Sequence, residues 1–292
     1  MTRDTYLLDH GWVGEKQRLA LIGVVLDPGT RRHLAATGVG AGWRCLEVGA
    51  GIGSVAQWLC EQVGPSGEVV ATDLDVGFVS QIDRPNLVVR RHDITRDDLE
   101  EAAFDLVHTR LVLEHLRSRD VALERMVRAL RPGGWLVVEA LQWTSVHVAS
   151  ARPHNPYARA VRLVSPVLRL VIEVLRPAGV SLEVGHRLPA MFATAGLVDV
   201  SAEGRSLFIS AGTPAAEMAE LSLDRVQDLL ADPPPALRDA PAWSPVGLIF
   251  RSPALTAALA RRVERISAAV TGGDNWTMIP AMVAASGRRP PA

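Results

Sequence analysis

Residues 45–54 read CLEVGAGIGS: an acidic side chain, Glu47, sits inside an apolar run, and Gly49, Gly51 and Gly53 follow directly. Glycine weakens strands and helices, so three at alternate positions indicate a backbone passing close to something bulky, where a Cβ would collide. Glu47 in a buried strand is costly without a partner, which favours a functional role over a structural one. Asp73 lies 20 residues after Gly53, and Asp93 another 20 after Asp73. An ionised carboxylate only accepts hydrogen bonds, a property suited to a ribose diol and an exocyclic amine. The dinucleotide fingerprint G-x-G-x-x-G requires a third glycine where this chain has Ser54. A nucleoside without a pyrophosphate needs no anion seat at a helix N-terminus, and a cationic amino-acid moiety would use a nearby carboxylate.

The elements that must position these residues alternate. Residues 15–26 have apolar residues at helical spacing and are expected to stop at Asp27-Pro28-Gly29. Strands are expected over 44–49, 68–73, 86–93, 104–109 and 135–141, with helices over 54–63 and 119–130. This order implies an α/β fold, a doubly wound, mostly parallel sheet, whose ligands lie beyond the carboxyl ends of the strands. Helices are expected over 156–175, 186–195, roughly 214–231 and 253–271. Strand character is read over 197–210 and 276–286, with Pro280 arguing for an edge or bulge. The expected organisation is one domain: a helical cap 1–35, a core 36–141, a helical insertion 142–196, and C-terminal strands 197–292 interrupted by an insertion over 211–273.

The chain resembles the class I S-adenosylmethionine-dependent methyltransferases, of the bacterial small-molecule, natural-product kind, over roughly residues 40–141. Glu47, Gly49, Gly51 and Gly53 match that family's first motif, with Ala50 in the same loop. Asp73 in VVATDLD, followed by Leu74, matches the acidic position that binds the ribose hydroxyls. Asp93 in RRHDI matches the acceptor for the adenine amino group, with Ile94 against the ring. FDLVHTRLVLEHL and LRPGGWLVVEA match the fourth and fifth strand segments. The resemblance implies a Rossmann-like seven-stranded sheet with helical lid insertions, S-adenosylmethionine as cofactor with S-adenosylhomocysteine as product, and methyl transfer by direct displacement.

Each assignment has a plainer competitor. Asp73 could cap the following helix, although Asp75 suits that role better; Asp93 could belong to a solvated acidic loop with Asp97 and Asp98. The backbone of Thr109 and Arg110 should line the cofactor edge, while the Arg110 side chain could pair with Glu114 four residues on. His115 could act as general base or fix the loop after the fourth strand by a hydrogen bond. His10 and His147 are the other candidate bases, needed only if the acceptor keeps a proton at neutral pH. Tyr6 and Arg18 are carried over as cofactor contacts from a segment that folds over the cofactor in similar enzymes, with Trp12 beside them as an acceptor contact. Gln142, Trp143 and His147 stand where acceptor pockets begin, and Trp143 could equally be core packing.

Composition narrows the function classes. The net charge of −1 over 292 residues gives no electrostatic reason to expect nucleic acid or an anionic membrane. Cys45 and Cys60 make neither a disulfide framework nor a zinc site, and no metal is expected. The N-terminus lacks a signal-peptide pattern, and no uncharged apolar run is long enough for a span. A cytoplasmic protein is therefore expected. The Asn/Asp-Pro-Pro-aromatic stretch of nucleic-acid amino-methylating enzymes does not occur after the fourth strand. Large, alanine-rich insertions suit a bulky secondary metabolite, aromatic or indole-like ones by stacking on Trp12 and Trp143. Partners are then a small-molecule acceptor and, at most, further copies of the chain. Two rivals stay open: an NAD(P)-dependent oxidoreductase, disfavoured by the missing third glycine and the absence of Tyr-x-x-x-Lys, and a non-catalytic nucleoside-binding protein.

Overall fold

The computed structural model describes residues 12–142, 179–181, 183–206, 208–233, 235–239, 245–271, 276–278 and 281–291. They divide into two compact units. The larger comprises Asp9–Gln142, Glu183–Arg205 and Met282–Ala292. Its elements run α1 (Glu15–Ala36), β1 (Arg44–Val48), α2 (Ser54–Val63), β2 (Glu68–Asp73), β3 (Leu87–Arg91), β4 (Phe104–Arg110), α3 (Arg119–Ala129), β5 (Leu130–Gln142), α4 (Val184–Thr194), β6 (Val198–Arg205) and, last in the chain, β9 (Ala281–Arg288). Single 3-10 turns occupy Val79–Gln81 and Leu113–His115.

These strands form one seven-stranded sheet in the order β3-β2-β1-β4-β5-β9-β6. β1, β2, β3, β4 and β5 pair in parallel, whereas β6 runs antiparallel to β9. Alternation along the strands divides the interior between two faces. Leu46, Val48, Val107, Leu136 and Val138 pack with α3 and α4, through Met126, Leu188 and Phe192. Cys45, Val69, Ala71, Leu106 and Val137 pack with α1 and α2, through Leu34, Val55 and Leu59. Both cysteines are buried thiols. Burial pushes Cys60 up to about 11 and Cys45 higher still, so both stay protonated at neutral pH.

Three boundaries depart from the sequence expectation. α1 does not stop at Asp27-Pro28-Gly29 but continues through Pro28 to Ala36. A proline inside a helix removes one i→i−4 bond and crowds the carbonyl it would have met. Side-chain bonds from Asp27, Thr30 and His33 to the sheet offset that loss. β5 starts at Leu130 and absorbs Pro132-Gly133-Gly134 at a register shift, where those residues were expected only to end the preceding helix. The apolar stretches near 197–210 and 276–286 each divide between two sheets.

The second unit holds the other half of each: β7 (Phe208–Ser210) pairs antiparallel with β8 (Trp276–Met278). Between them lie α5 (Pro214–Ala231), the short α6 (Pro235–Arg238) and α7 (Pro245–Arg251), and α8 (Pro253–Thr271). Thr213 caps α5 by accepting from the Ala216 N–H, with Pro214 opening the helix. α5 packs on α8. No helix among the described residues is long and apolar enough to cross a membrane. The helix expected over 156–175 lies outside the described residues.

Candidate active site

The glycine loop leaves β1 at the carboxyl edge of the sheet and is held by the end of β2. The N–H groups of Gly49 and Ala50 both donate to the Thr72 carbonyl, at 2.8 and 3.0 Å. The Gly51 N–H donates to Oδ2 of Asp73 at 2.8 Å. Gly49 has φ +75°, and a Cβ there would stand 2.2 Å from Cγ2 of Val112 in the turn after β4. Gly53 has φ +81°, and its Cβ would meet Ile82 at 2.4 Å. The bulk that these two positions must pass therefore includes the protein's own side chains as well as any ligand.

Asp73 uses its other oxygen, Oδ1, to accept the Asp75 N–H at 3.2 Å, and Asp75 in turn accepts from Gly77 at 2.8 Å. Asp73 thus ties the loop after β1 to the turn after β2 while its half-buried carboxylate stays at the edge, beside the exposed Leu74. Asp93 is more locally engaged. Its Oδ1 accepts both the N–H and the hydroxyl of Thr95, at 2.9 and 2.6 Å, and Arg96 stands 3.6 Å from Oδ2. Asp97 accepts the Asp93 N–H at 2.8 Å. Ile94 is buried in the core.

Arg110 does not pair with Glu114. Its guanidinium donates to Asp27 at 2.9 Å and to the Thr30 hydroxyl at 2.8 Å. The continuation of α1 beyond Leu26, which sequence periodicity did not reveal, supplies both partners. Thr109 is fully buried and donates its hydroxyl to the Val48 carbonyl. Arg18 is committed to Glu15 by two bonds, at 2.8 and 2.7 Å. The Trp12 ring covers Gly14, where a Cβ would lie 2.4 Å from it. Gln142, buried at the end of β5, accepts the His186 N–H at 3.1 Å and so fastens α4. Tyr6, His10, Trp143 and His147 lie outside the described residues.

The turn after β4 carries two ionisable groups with displaced protonation. Burial and the positive charge of Arg18 push His115 down to about 4, so it is a neutral imidazole at neutral pH. Burial pushes the Glu114 carboxyl up to about 7. Glu114 accepts the Leu141 N–H on Oε1 at 3.3 Å, and its buried Oε2 meets no hydrogen-bond partner among the described residues. Sequence reasoning treated Glu114 only as a partner for Arg110.

Glu47 is buried, and its partner is a histidine that the sequence reading passed over. Glu47 and His108 are register partners on β1 and β4, and Nδ1 of His108 lies 2.6 Å from Oε2 of Glu47. Nε2 of the same ring lies 3.6 Å from Oε2 of Glu139 on β5. Glu139 also accepts from the Thr30 hydroxyl and stands 2.7 Å from Nδ1 of His33, both on α1. Burial alone would lower the His108 pKa, but the two carboxylates raise it to about 9, so the ring carries its proton at neutral pH. Glu139 is held far below the usual carboxylate range: the positive His108 ring 3.6 Å away and the bonds from His33 and Thr30 overcome its burial. The only sequence signal for this cluster was the polar side chains at 47, 108 and 139 in otherwise apolar strands.

A glycine loop after β1, an aspartate ending β2 and a parallel run of strands into which the antiparallel β9 is inserted beside β6 give the sheet of the class I methyltransferase fold. The family model described as a methyltransferase domain matches residues 46–136 of this chain. The chain is 29% identical over 132 residues to the ubiquinone/menaquinone biosynthesis C-methyltransferase UbiE of Cupriavidus necator, covering 43% of this chain and 53% of that protein. It is 30% identical over 114 residues to methyltransferase str2 of Strobilurus tenacellus, covering 38% and 40%. The chain thus spans about half or less of the length of these curated relatives. In fold it is similar to phosphoethanolamine N-methyltransferase 2 of Haemonchus contortus, solved with S-adenosylhomocysteine. The TM-score is 0.53 at 15% identity, over 99% of this chain and 61% of that one.

Proposed function

We propose that this protein is an S-adenosylmethionine-dependent methyltransferase that passes the methyl group to a small-molecule acceptor, a secondary metabolite, by direct displacement. The observation that carries the reading is the Asp73 carboxylate at the end of β2, bonded to Gly51 and so presented beside the glycine loop. In that arrangement Asp73 accepts from the ribose hydroxyls and Glu47 faces the cationic amino-acid end. Asp93 and Ile94 serve the adenine, the latter as an apolar wall. Gly49, Ala50, Gly51 and Gly53 give the nucleoside room along the backbone, and Thr109 and Arg110 line the far side of the loop.

A sulfonium methyl is already activated, so the protein's contribution is alignment of donor and acceptor and exclusion of water. Orientation of this kind supplies about 7–11 kcal/mol in the best intramolecular models. A general base enters only where the acceptor keeps its proton, and His10 and His147 stand as the candidates among the histidines. His115 is a poor one, because a ring with its proton affinity lowered to about 4 takes up little proton at neutral pH. Trp12, Gln142 and Trp143 are proposed for the acceptor side.

Calorimetry of the full chain with S-adenosylmethionine, S-adenosylhomocysteine and NAD tests the reading. Binding of the first two and not the third is expected. Asp73→Ala should weaken the nucleosides by roughly 10–100-fold, the equivalent of about 1–3 kcal/mol for lost hydrogen bonds to a charged group. Heat with NAD and none with either sulfur nucleoside would reject the proposal.

A further inference from the structure

The Glu47–His108–Glu139 cluster is expensive as a purely structural device. Glu47, His108 and Glu139 are each at most 3% exposed. Buried ion pairs of this kind often add nothing to stability when compared with apolar side chains of similar volume. Yet the chain surrounds this one with further polar groups from three elements. α1 contributes Thr30 and His33 to Glu139, and Asp27 to Arg110; Arg31 stands 3.5 Å from the same Asp27. α2 contributes the Ser54 hydroxyl, which donates to Asp27 at 3.1 Å. β6 contributes Glu203, 3.7 Å from Nε2 of His33. The cluster therefore reaches from the strand that precedes the glycine loop to the first residue of the helix that follows it.

The geometry fixes one oxygen of Glu47 and leaves the other. Oε2 is taken by His108, whereas Oε1 makes none of the hydrogen bonds found among the described residues. The ring that holds this oxygen makes no hydrogen bond on its far side among the described residues, where Nε2 stands 3.6 Å from the Glu139 carboxylate, so the second carboxylate acts on the ring through charge. Resting on the donor reading above, we propose that His108 is a positioning residue. Held between Glu47 and Glu139, its ring aims the free oxygen of Glu47 at the ammonium group on the amino-acid end of the methyl donor. α1 is part of the same device, because Thr30 and His33 fix the carboxylate of Glu139 on which the ring rests.

The test compares two ligands that differ only at the end in question. S-adenosylhomocysteine carries the ammonium group; 5′-methylthioadenosine has the same nucleoside and sulfur without the amino acid. Calorimetry of both is performed on the full-length wild type, His108→Asn and Glu139→Gln. His108→Asn is expected to weaken S-adenosylhomocysteine by at least tenfold and methylthioadenosine by less than twofold. Glu139→Gln, which leaves Glu47 and His108 in place but removes the charge behind the ring, should show a smaller loss with the same selectivity. It also serves if His108→Asn does not fold. Equal losses for both ligands, or no loss for either, would overturn the assignment and make the cluster a packing feature. Wild-type protein that binds neither ligand would sink the donor reading itself, an outcome recognisable before any variant is made.

Discussion

At the scale of single residues, the carboxyl group of Glu114 departs furthest from what its neighbours in the sequence suggest. It is buried, accepts one long bond from the Leu141 N–H, and sits where its proton is held up to about pH 7. Its folded pKa is above the unfolded value, so the folded state keeps a proton that the unfolded chain releases. That contribution is complete below about pH 4.5 and is lost as the pH rises through 7. Glu114→Gln keeps the shape and removes the ionisation. It is expected to match the wild type in urea denaturation at pH 5 and to exceed it at pH 9, by an amount on the order of 2–3 kcal/mol. Equal stability of the two proteins across that range would show that the carboxylate finds a cation when it ionises. The motif residues Gly49, Gly51, Gly53 and Asp73 were legible because spacing alone puts them at strand ends. Glu114 and His108 were not, because a short apolar turn or strand says nothing about which polar atom inside it lacks water.

At the scale of elements, the sheet was readable and the helix that seals it was not. The strands beginning at Arg44, Glu68 and Phe104 follow from β-branched runs bounded by turn residues, and α2 ends at Gly64 as its sequence demands. α1 escaped because Pro28 and Gly29 mark a stop on local grounds, while its continuation depends on partners far along the chain at Arg110 and Glu139. Local propensity lost to tertiary bonding there. Asp27→Ala measures how strongly. It leaves Arg110, only 10% exposed at its side chain, without its carboxylate. The expected loss is about 3 kcal/mol by denaturant unfolding, the cost of orphaning a largely buried charge. A loss below about 1 kcal/mol would mean that Ile22 and Leu34 hold the helix by packing alone.

For the molecule as a whole, three displaced groups make stability depend on pH, each over its own window. His108, raised to about 9, stabilises fully below its unfolded pKa of about 6.5 and gives that up as the pH climbs through 9. Glu114 acts in the same direction through 7. His115, lowered to about 4, does the opposite: its contribution is present above about 6.5 and is lost as the pH falls toward 4. Thermal unfolding followed between pH 4 and 10 should therefore show a midpoint that declines on the alkaline side between 7 and 9. A midpoint flat across those two pH units would mean that His108 does not keep its proton in the fold. The division into a sheet unit and a helical unit was less legible than either core, because the apolar stretches at 197–210 and 276–286 look continuous and each serves both sheets.

The passage of α1 through its proline has a practical corollary for anyone who trims this protein. The stretch that matches the methyltransferase-domain family, 46–136, contains Glu47, His108 and Arg110 but neither Glu139 nor the helical turns bearing Asp27, Thr30 and His33. Excised at those limits, it would carry an arginine and an imidazolium–carboxylate pair stripped of their counterparts. The smallest autonomous version of this sheet has to begin at the head of that helix, some thirty residues before the recognisable motif starts.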